Sequence, residues 1–399
     1  MQLATDAGHV LLENGAEISR VEETMERIAS AYGVEDESFF VLSNGIITTG
    51  QHYARAEFIP IRGTQLARVV EVNQLSREVS RQGGLPLGEA ERRLQSIRIS
   101  KGKPWWENIL GIAVGVSAFS ILFGGSLIDA AATFACGLLL GAFMTFVGPH
   151  LSRIFGNVLG GMVGGLLCIL ASHIPHTSFH LPNMIIGTII ALVPGVPFTN
   201  GMRDLANEDY IAGATRLLDA FLAFLCIALG VALAFIAEGL FSGGIMQLGA
   251  PVVDATASHW AIQLTAAYLG TVGFSVLFGA PRRFYAECGL AGMAGWGVFL
   301  LLQPATVAAA FLGALTVAAV SAVLAVVRRC PTTVFLICGI IPLVPGGGIF
   351  WTAYYLVSNQ LRLAATAGFM ALKVTIAIAG GIIVAGALMT WLLKRKKRQ

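Results

Sequence analysis

Polar and apolar residues divide the chain into a short polar head and a long apolar body. Residues 1–104 hold 14 of the 23 acidic residues and 12 of the 26 basic ones. From Trp105 onward about ten apolar stretches recur, each near the ~20 residues that a helix needs to cross a hydrocarbon core. The pattern predicts a mainly α, polytopic membrane protein. Its expected spans are 106–124, 128–148, 155–172, 183–207, 212–239, 260–279, 285–303, 305–327, 331–358 and 364–393.

The head has the pattern of a small soluble α+β domain. Apolar residues recur at helical spacing from Val10 to Ile28 and predict two helices that part at Asn14-Gly15, with Gly33 ending the second. Three β-rich runs should follow, with an Asn44-Gly45 hairpin turn after the first. The expected strands are 39–42, 46–49 and 56–61, and two further expected helices are 65–81 and 87–99, around Gly83-Gly84.

The charges predict how the chain is oriented in the membrane. Asp6, Glu13 and Glu17 interrupt what would be the apolar core of a signal peptide, so we expect the head to stay in the cytoplasm. With the head inside, the outer loops carry one basic residue, Arg362, whereas the inner loops carry Arg153, Arg203, Arg282, Arg283, Arg328 and Arg329. This asymmetry is what the positive-inside rule expects. An even span count also places the C-terminus in the cytoplasm, with the basic stretch Lys394–Arg398 against anionic lipid of the cell inner membrane.

The body contains an internal repeat with a helix breaker in each copy. Leu192-Val193-Pro194-Gly195 recurs as Leu343-Val344-Pro345-Gly346, an offset of 343 − 192 = 151, and Phe123-Gly124 recurs as Phe278-Gly279 at an offset of 155. Five spans fall in each half, and an odd number inverts the second half relative to the first. Inverted repeats with broken helices are typical of secondary transporters, whose substrate site lies at the breaks. The predicted units are an accessory domain, 1–104, a first five-helix repeat, 105–240, and a second, 241–399.

Each break would expose backbone groups at membrane depth. Pro194-Gly195 and Pro345-Gly346 divide their spans into half-helices, whose N-terminal amides can hold a carboxylate while freed carbonyls hold an ammonium or hydroxyl group. This combination suits a small zwitterionic substrate. The alternative is a pair of proline kinks used for packing.

The residues after the two breaks differ in chemistry. Thr199 and Asn200 can hydrogen-bond a substrate, and Arg203 can pair with a substrate carboxylate or with Asp204. An ordinary cytoplasmic loop with an arginine anchor is the alternative for this segment. The second copy carries aromatic residues instead, so we predict a binding site with unlike halves. Its candidate residues are Trp351 and Tyr354, beside Thr352 and Tyr355.

Three ionisable residues lie within apolar spans and are candidates for proton coupling. Asp219, Glu287 and Lys373 would each cost several kcal/mol there unless paired or hydrated. Asp219 and Lys373 are 373 − 219 = 154 positions apart, so we expect them at equivalent depths, facing each other across a pseudo-twofold axis. The alternatives are a structural or snorkelling role for Lys373 and a contact of Glu287 with inner headgroups.

Composition and missing motifs narrow the class of protein. At 55% hydrophobic and 12% charged residues, with a mean hydropathy of +0.73, the chain is too apolar for a soluble domain. A net charge of +3 gives no reason to expect nucleic acid, and the six cysteines lack zinc or disulfide spacing. No Walker A, Gly-x-Ser-x-Gly or His-Glu-x-x-His sequence occurs, so we expect neither an ATP-driven pump nor a metalloprotease.

Two further patterns favour structure over ligand binding. The loop His173–His180 has metal-like histidine spacing, but Pro175 prevents a regular helix and no carboxylate accompanies it in the sequence, so we expect no metal site. Glycines recur every four residues in two spans. We expect them to pack helices closely, and they are Gly111 and Gly115 in the first span and Gly156, Gly160 and Gly164 in the third.

Three segments together resemble the threonine/serine exporter family of bacteria and fungi. They are Leu11–Thr24 in the head, Leu192–Leu205 at the first break, and Ile341–Gly346 with the following Tyr354 at the second. The resemblance implies a ten-span secondary transporter of the cytoplasmic membrane that exports small hydroxy amino acids with the proton motive force. It makes the head an accessory or regulatory domain, with no chemistry assigned to Glu13, Glu17, Arg20 and Glu22, which match the family pattern.

Two other functions stay open. Members of the family that are split into two proteins are linked to succinate export, so a dicarboxylate exporter of the same fold is one alternative. A membrane-bound hydrolase acting through the head is the other. We expect a transporter rather than an enzyme, with a small-molecule substrate, protons and the lipid bilayer as partners and without a cofactor. A homo-oligomer is left open.

Overall fold

A computed structural model describes residues 1–60, 63–81, 84–175, 177–242, 254 and 259–396. Within these ranges the chain is mostly helical, with one three-stranded sheet near the N-terminus. In the described part of the chain, eight helices are long and apolar enough to cross a membrane, and the number is ten if each of two bent helix pairs counts as one span. The prediction of a polytopic α-helical membrane protein is confirmed.

The head forms the expected types of element around its own apolar core, but its third strand, Tyr53–Phe58, begins three residues before the predicted 56–61. The strands form an antiparallel sheet in the order β1-β2-β3, and Gly15 and Gly33, with φ of 84° and 70°, end α1 and α2. The predicted strand end at Ile61 and the predicted break at Gly83 lie outside the described residues. The elements are α1 (Gln2–Glu13), α2 (Ile18–Ala31), β1 (Ser38–Leu42), β2 (Gly45–Gly50), β3 (Tyr53–Phe58), α3 (Leu66–Val79) and α4 (Leu87–Ile99).

Twelve helices make up the described part of the body. Two predicted spans, 183–207 and 331–358, are bent pairs, with kinks of 63° between α8 and α9 and 48° between α14 and α15. The helices are α5 (Trp105–Leu122), α6 (Leu127–Phe146), α7 (Arg153–Ser172), α8 (Leu181–Ile189), α9 (Gly195–Ala206), α10 (Tyr210–Ser242), α11 (Trp260–Leu277), α12 (Tyr285–Leu301), α13 (Thr306–Arg328), α14 (Thr333–Ile340), α15 (Gly346–Val357) and α16 (Leu361–Lys396).

The two breaks have the same backbone geometry. Pro194 has φ −76° and ψ 59°, and Pro345 has φ −77° and ψ 50°. The amide after each proline donates to the carbonyl before it, at 2.8 Å from Gly195 to Val193 and at 2.8 Å from Gly346 to Val344. Each break is therefore an inverse γ-turn, which a proline φ near −65° favours.

The repeats are inverted, since corresponding helices pack in opposite directions. The side-chain amide of Gln263, at the start of α11, donates to the Ile121 carbonyl at the end of α5, at 3.1 Å. A Cβ atom added at Gly273 would lie 2.5 Å from the Gly111 carbonyl oxygen, and one at Gly111 would lie 3.0 Å from that of Gly273. The glycines of α5 that were predicted to allow close packing do so against α11, the counterpart of α5 in the second repeat.

The breaks also meet reciprocally. A Cβ atom added at Gly195 would lie 2.6 Å from Ile341 Cδ1, and one at Gly346 would lie 2.6 Å from Ile190 Cδ1. Ile341 follows Ile190 by 151 positions, the same offset that separates the glycines. The pseudo-twofold axis therefore passes between the two breaks.

The head rests on one end of the membrane helices. The amides of Leu66 and Ala67 donate to the carbonyls of Phe278 and Gly279 at 3.0 and 2.9 Å, and Leu66 and Val70 are buried in the core of the body. We call this end of the bundle the head side and the opposite end the far side.

Candidate functional site

A cavity of about 780 Å³ lies between the far-side ends of the helices and the second break. We call it the far-side cavity. It reaches Pro345, Gly347 and Gly348, and the described residues that line it include no Asp, Glu, Lys or Arg. Among the aliphatic side chains of its wall lie aromatic rings and a few uncharged polar groups. The principal ones are Trp260, Trp296, Trp351, Tyr355, Gln263, Gln303, Thr306 and Thr366.

Gln263 is the most buried polar side chain of this wall, at 5% exposure. Its Oε1 accepts a hydrogen bond from Trp296 Nε1 at 2.9 Å, while its Nε2 donates to the Ile121 carbonyl at 3.1 Å. These bonds fix the amide and the indole at the edge of the cavity. Sequence reasoning missed both residues, although a glutamine inside an apolar span is a signal that could have found them.

The second-repeat candidates divide between two cavities. Pro345 and Trp351 line the far-side cavity. Gly346 and Tyr354 line a separate apolar cavity of about 30 Å³, where the Tyr354 ring meets Phe235 at a centroid distance of 5.8 Å. The helix α15 therefore turns Trp351 and Tyr354 toward different spaces.

The first-repeat candidates lie on the head side and contact the head. Asn200 Nδ2 donates to the Gly15 carbonyl at 2.7 Å, and Asp204 Oδ1 accepts from the Ile18 amide at 3.3 Å. Arg216 donates to Asp204 Oδ2 at 2.7 Å and to the Ala16 carbonyl at 3.0 Å. Asn200, Asp204 and Arg216 are all at most 3% exposed. Sequence reasoning did not single out Arg216.

Glu17 of the head joins both repeats. Its Oε2 lies 2.6 Å from an Arg203 guanidinium nitrogen, and its Oε1 accepts from the Thr333 hydroxyl at 3.4 Å. Arg203 belongs to α9 of the first repeat and Thr333 to α14 of the second, while Glu17 itself is 1% exposed. Glu17, Asn200, Arg203, Asp204 and Arg216 form what we call the head-side cluster.

Two carboxyl groups near this cluster hold protons more readily than free ones. Burial raises the pKa of Glu22 above its ordinary 4.5, the hydrogen bond from the Val41 amide opposes the shift, and repulsion by Asp209 adds to it. Burial likewise raises the pKa of Asp209, with Arg216 acting in the opposite direction. Both shifts come mainly from burial, so the surroundings of the head-side cluster are poorly hydrated.

The remaining first-repeat candidates serve the backbone of the break. The Thr199 hydroxyl donates to the Gly195 carbonyl at 2.8 Å within α9, and Thr199 is 1% exposed. Pro194 forms the γ-turn itself. Neither residue lines the far-side cavity.

The expected pairing of Asp219 with Lys373 is wrong. Asp219 lies 3.3 Å from Arg153 at the start of α7, and both side chains are 52% exposed on the surface of the bundle. The Lys373 ammonium lies 4.7 Å from the centroid of the Phe369 ring. Equal depth in the two repeats did not bring the two charges together because they lie on outward faces of their helices. Glu287 is buried and paired with Arg328 on the head side.

Asp129 supplies the histidine loop with a carboxylate that the local sequence does not show. Asp129 is fully buried, and its two oxygens lie 2.8 Å from the His180 amide and 2.8 Å from His180 Nδ1. It also accepts from the Ser126 amide and hydroxyl at the start of α6. Asp129 is 51 positions from His180, so local spacing could not reveal it. His176 lies outside the described residues, and within them no group of three His, Cys, Asp or Glu residues could hold a metal.

Comparison with known proteins places both halves of the chain in one protein family. Residues 2–237 match a threonine/serine exporter family model, and residues 263–388 match a second one, described as "Threonine/Serine exporter, ThrE". No solved structure matches the chain.

Individual relatives are distant but cover most of the chain. A "Threonine/serine exporter" of Corynebacterium glutamicum is 24% identical over all of this chain and 83% of its own length. A "Probable threonine/serine exporter" of Mycobacterium tuberculosis is 23% identical over 90% of this chain and 70% of its own. The "Probable succinate transporter subunit YjjP" of Escherichia coli is 25% identical over 60% of this chain and 94% of its own. With both halves matched by its models, the chain belongs to the threonine/serine exporter family.

Proposed function

We propose that this protein is a secondary active exporter of threonine or serine that exchanges its substrate for protons. The observation that carries the proposal is that two equivalent breaks meet on a pseudo-twofold axis, with a cavity on the far side and a closed contact with the head on the other. Transporters of this architecture work by alternating access around a fixed central site. The described conformation corresponds to the state that releases an exported substrate.

The proposed membrane arrangement follows the charges. The head and both termini lie in the cytoplasm and the chain is multi-pass in the cytoplasmic membrane, with units 1–104, 105–240 and 241–399. The far-side cavity then opens to the outside. An exporter loads from the head side and releases into this cavity.

The lining of the far-side cavity supports a net-neutral substrate. A dianion in an apolar cavity without a cationic side chain would be poorly stabilised, whereas a zwitterion brings its own balancing charge. We propose that the carboxylate binds the amides of Gly347 and Gly348, which belong to the first turn of α15 and lack partners within the helix. The ammonium faces the rings of Trp296 and Trp351.

On the head side we propose that Asn200 and Arg203 bind the substrate in the opposite state, with Asp204 holding Arg216 beside them. Thr199 supports the first break, and Tyr354 packs α15 against α10. Of the three predicted proton-coupling residues, Glu287 keeps the best support because it is buried and paired. Asp219 and Lys373 lie on the lipid-facing surface, which is a poor position for a proton pathway.

Counterflow in proteoliposomes tests this function. Labelled threonine, serine and succinate are presented separately at imposed pH gradients. We expect exchange of threonine or serine, accelerated by the pH gradient, and little exchange of succinate. Exchange of none of the three would contradict a transporter of either substrate class.

The succinate alternative has one specific support, the similarity to the YjjP subunit. It predicts succinate counterflow faster than that of threonine and a requirement for Arg203. The same assay therefore separates the two substrate classes.

A further inference from the structure

The inverted repeat identifies where a head-side cavity would form. Four residues that line the far-side cavity are Gly347, Trp351, Tyr355 and Ala367. In an inverted repeat, the residues 151 positions earlier line the corresponding space at the opposite end. Those residues are Val196, Asn200, Asp204 and Arg216.

The head fills this space with the turn Asn14–Ser19, which we call the plug. Its carbonyls at Gly15 and Ala16 accept hydrogen bonds from Asn200 and Arg216, and its Ile18 amide donates to Asp204. A Cβ atom added at Gly15 would lie 3.6 Å from Val196 Cγ1. The plug thus contacts all four residues that the symmetry selects.

The groups beneath the plug match the charges of an amino acid. Asn200 Oδ1 is buried and accepts no hydrogen bond from the part of the chain that the structure describes. Arg203 lies within 2.6 Å of the Glu17 carboxylate. An unpartnered acceptor and a guanidinium would suit an ammonium and a carboxylate respectively.

We propose that the plug closes the head-side entrance of the transport path and that the Glu17 carboxylate occupies the place on Arg203 that a substrate carboxylate takes when the plug withdraws. Glu17 is then an internal competitor of the substrate. The plug also bridges both repeats through Arg203 and Thr333, so its withdrawal frees α9 and α14 to move apart. This inference rests on the proposed function and specifies how its head-side site is regulated.

A reversible crosslink tests the withdrawal. The Ser19 hydroxyl lies 3.2 Å from Asn207 Nδ2, so Ser19→Cys with Asn207→Cys places two thiols across the plug and the end of α9. The matched control is Thr5→Cys with Thr48→Cys, whose hydroxyls lie 3.2 Å apart within the head. Crosslinking is verified by mass spectrometry before threonine counterflow is measured.

We expect oxidation of the Ser19→Cys/Asn207→Cys protein to slow counterflow at least tenfold, and reduction to restore it. Oxidation of the control pair should leave counterflow unchanged. If the crosslinked protein exchanges threonine as fast as the protein with reduced thiols, the inference is overturned while the proposed function stays intact. Reduced protein that exchanges no amino acid would instead count against the function.

A second measurement tests the plug without transport. Val196→Cys is alkylated with a maleimide in detergent, with and without Glu17→Ala, and the native cysteines give the background in protein without Val196→Cys. We expect Glu17→Ala to speed alkylation of the new thiol at least tenfold. Glu23→Ala, which removes an exposed carboxylate six residues further along, should not. Equal rates with and without Glu17→Ala would refute the plug whatever the substrate.

Discussion

Replacing Arg216 should strongly destabilise the contact between the head and the body. Arg216 and Asp204 are 3% and 0% exposed, and their contact of 2.7 Å lies entirely within the protein. Arg216→Met keeps the length of the side chain but leaves the Asp204 carboxylate buried with the long 3.3 Å bond from the Ile18 amide. Removing one partner of a buried ion pair costs about 3–5 kcal/mol.

This loss should be visible as a lower melting temperature. Because the entropy of unfolding is about 2.1 cal/mol/K per residue, one kcal/mol shifts the midpoint of a 399-residue protein by roughly 1 °C. We therefore expect a fall of roughly 4–6 °C. Tryptophan fluorescence in detergent, at pH 8 and a fixed scan rate, follows the transition, since unfolding of such a protein is governed by rate as well as equilibrium.

Two variants make the result specific. Arg153→Met breaks the exposed pair with Asp219 and should cost about 0–1 kcal/mol. Arg216→Met combined with Asp204→Leu removes both charges of this pair, so that neither is left buried without its partner, and should recover most of the lost stability. If Arg216→Met melts at the same temperature as Arg153→Met, the buried pair does not hold the head to the body as the structure indicates.

Three further predictions concern the breaks, the cavity and pH. Gly195→Ala and Gly346→Ala should each slow threonine counterflow to a similar extent, because each added methyl group meets an isoleucine at 2.6 Å, and a loss confined to one variant would contradict the twofold arrangement. Gln263→Leu should reduce counterflow while leaving expression intact, since it removes the hydrogen bond that orients Trp296, and unchanged kinetics would exclude that role. Glu22→Gln should raise the melting temperature at pH 8 but not near pH 4.5. A carboxyl group whose pKa is raised in the folded state stabilises that state at low pH, and the stabilisation is lost as the pH rises through the folded-state pKa. An equal shift in melting temperature at both pH values would contradict the burial effect.

The sequence was sufficient to predict the spans and the breaks because both depend on local patterns. Apolar length sets a membrane helix, and a proline without an amide donor interrupts it wherever it falls. The repetition of Leu-Val-Pro-Gly at an offset of 151 then predicted that the breaks at Pro194 and Pro345 are equivalent, and their φ and ψ values agree within 10°.

The faces of the helices could not be predicted in the same way. Trp351 and Tyr354 are three positions apart, yet they line different cavities, because the packing of α15 against α10 and α16 decides which side each ring takes. Asp219 and Lys373 failed as a pair for the same reason. The position of a residue within its span gives its level in the membrane but not the direction in which its side chain points.

The contacts of the plug lay beyond any local pattern. Asn200 bonds a residue 185 positions earlier, and Glu17 bonds Thr333 316 positions later. Resemblance marked Glu17 as a member of the family pattern, whereas the structure supplies its partners. The head therefore contributes directly to the candidate site instead of lying beside it.

Paired thiol accessibility measures the alternation between the two sides most directly. Thr366→Cys reports the far-side cavity and Val196→Cys the space beneath the plug. Each reacts with a membrane-impermeant maleimide in vesicles of the orientation that turns its own side outward. Without substrate, Thr366→Cys should react rapidly and Val196→Cys slowly. Threonine on the head side with an imposed pH gradient should slow the first reaction and speed the second. Rates that rise together, or that do not change with threonine, would contradict alternating access between cavities related by the pseudo-twofold axis.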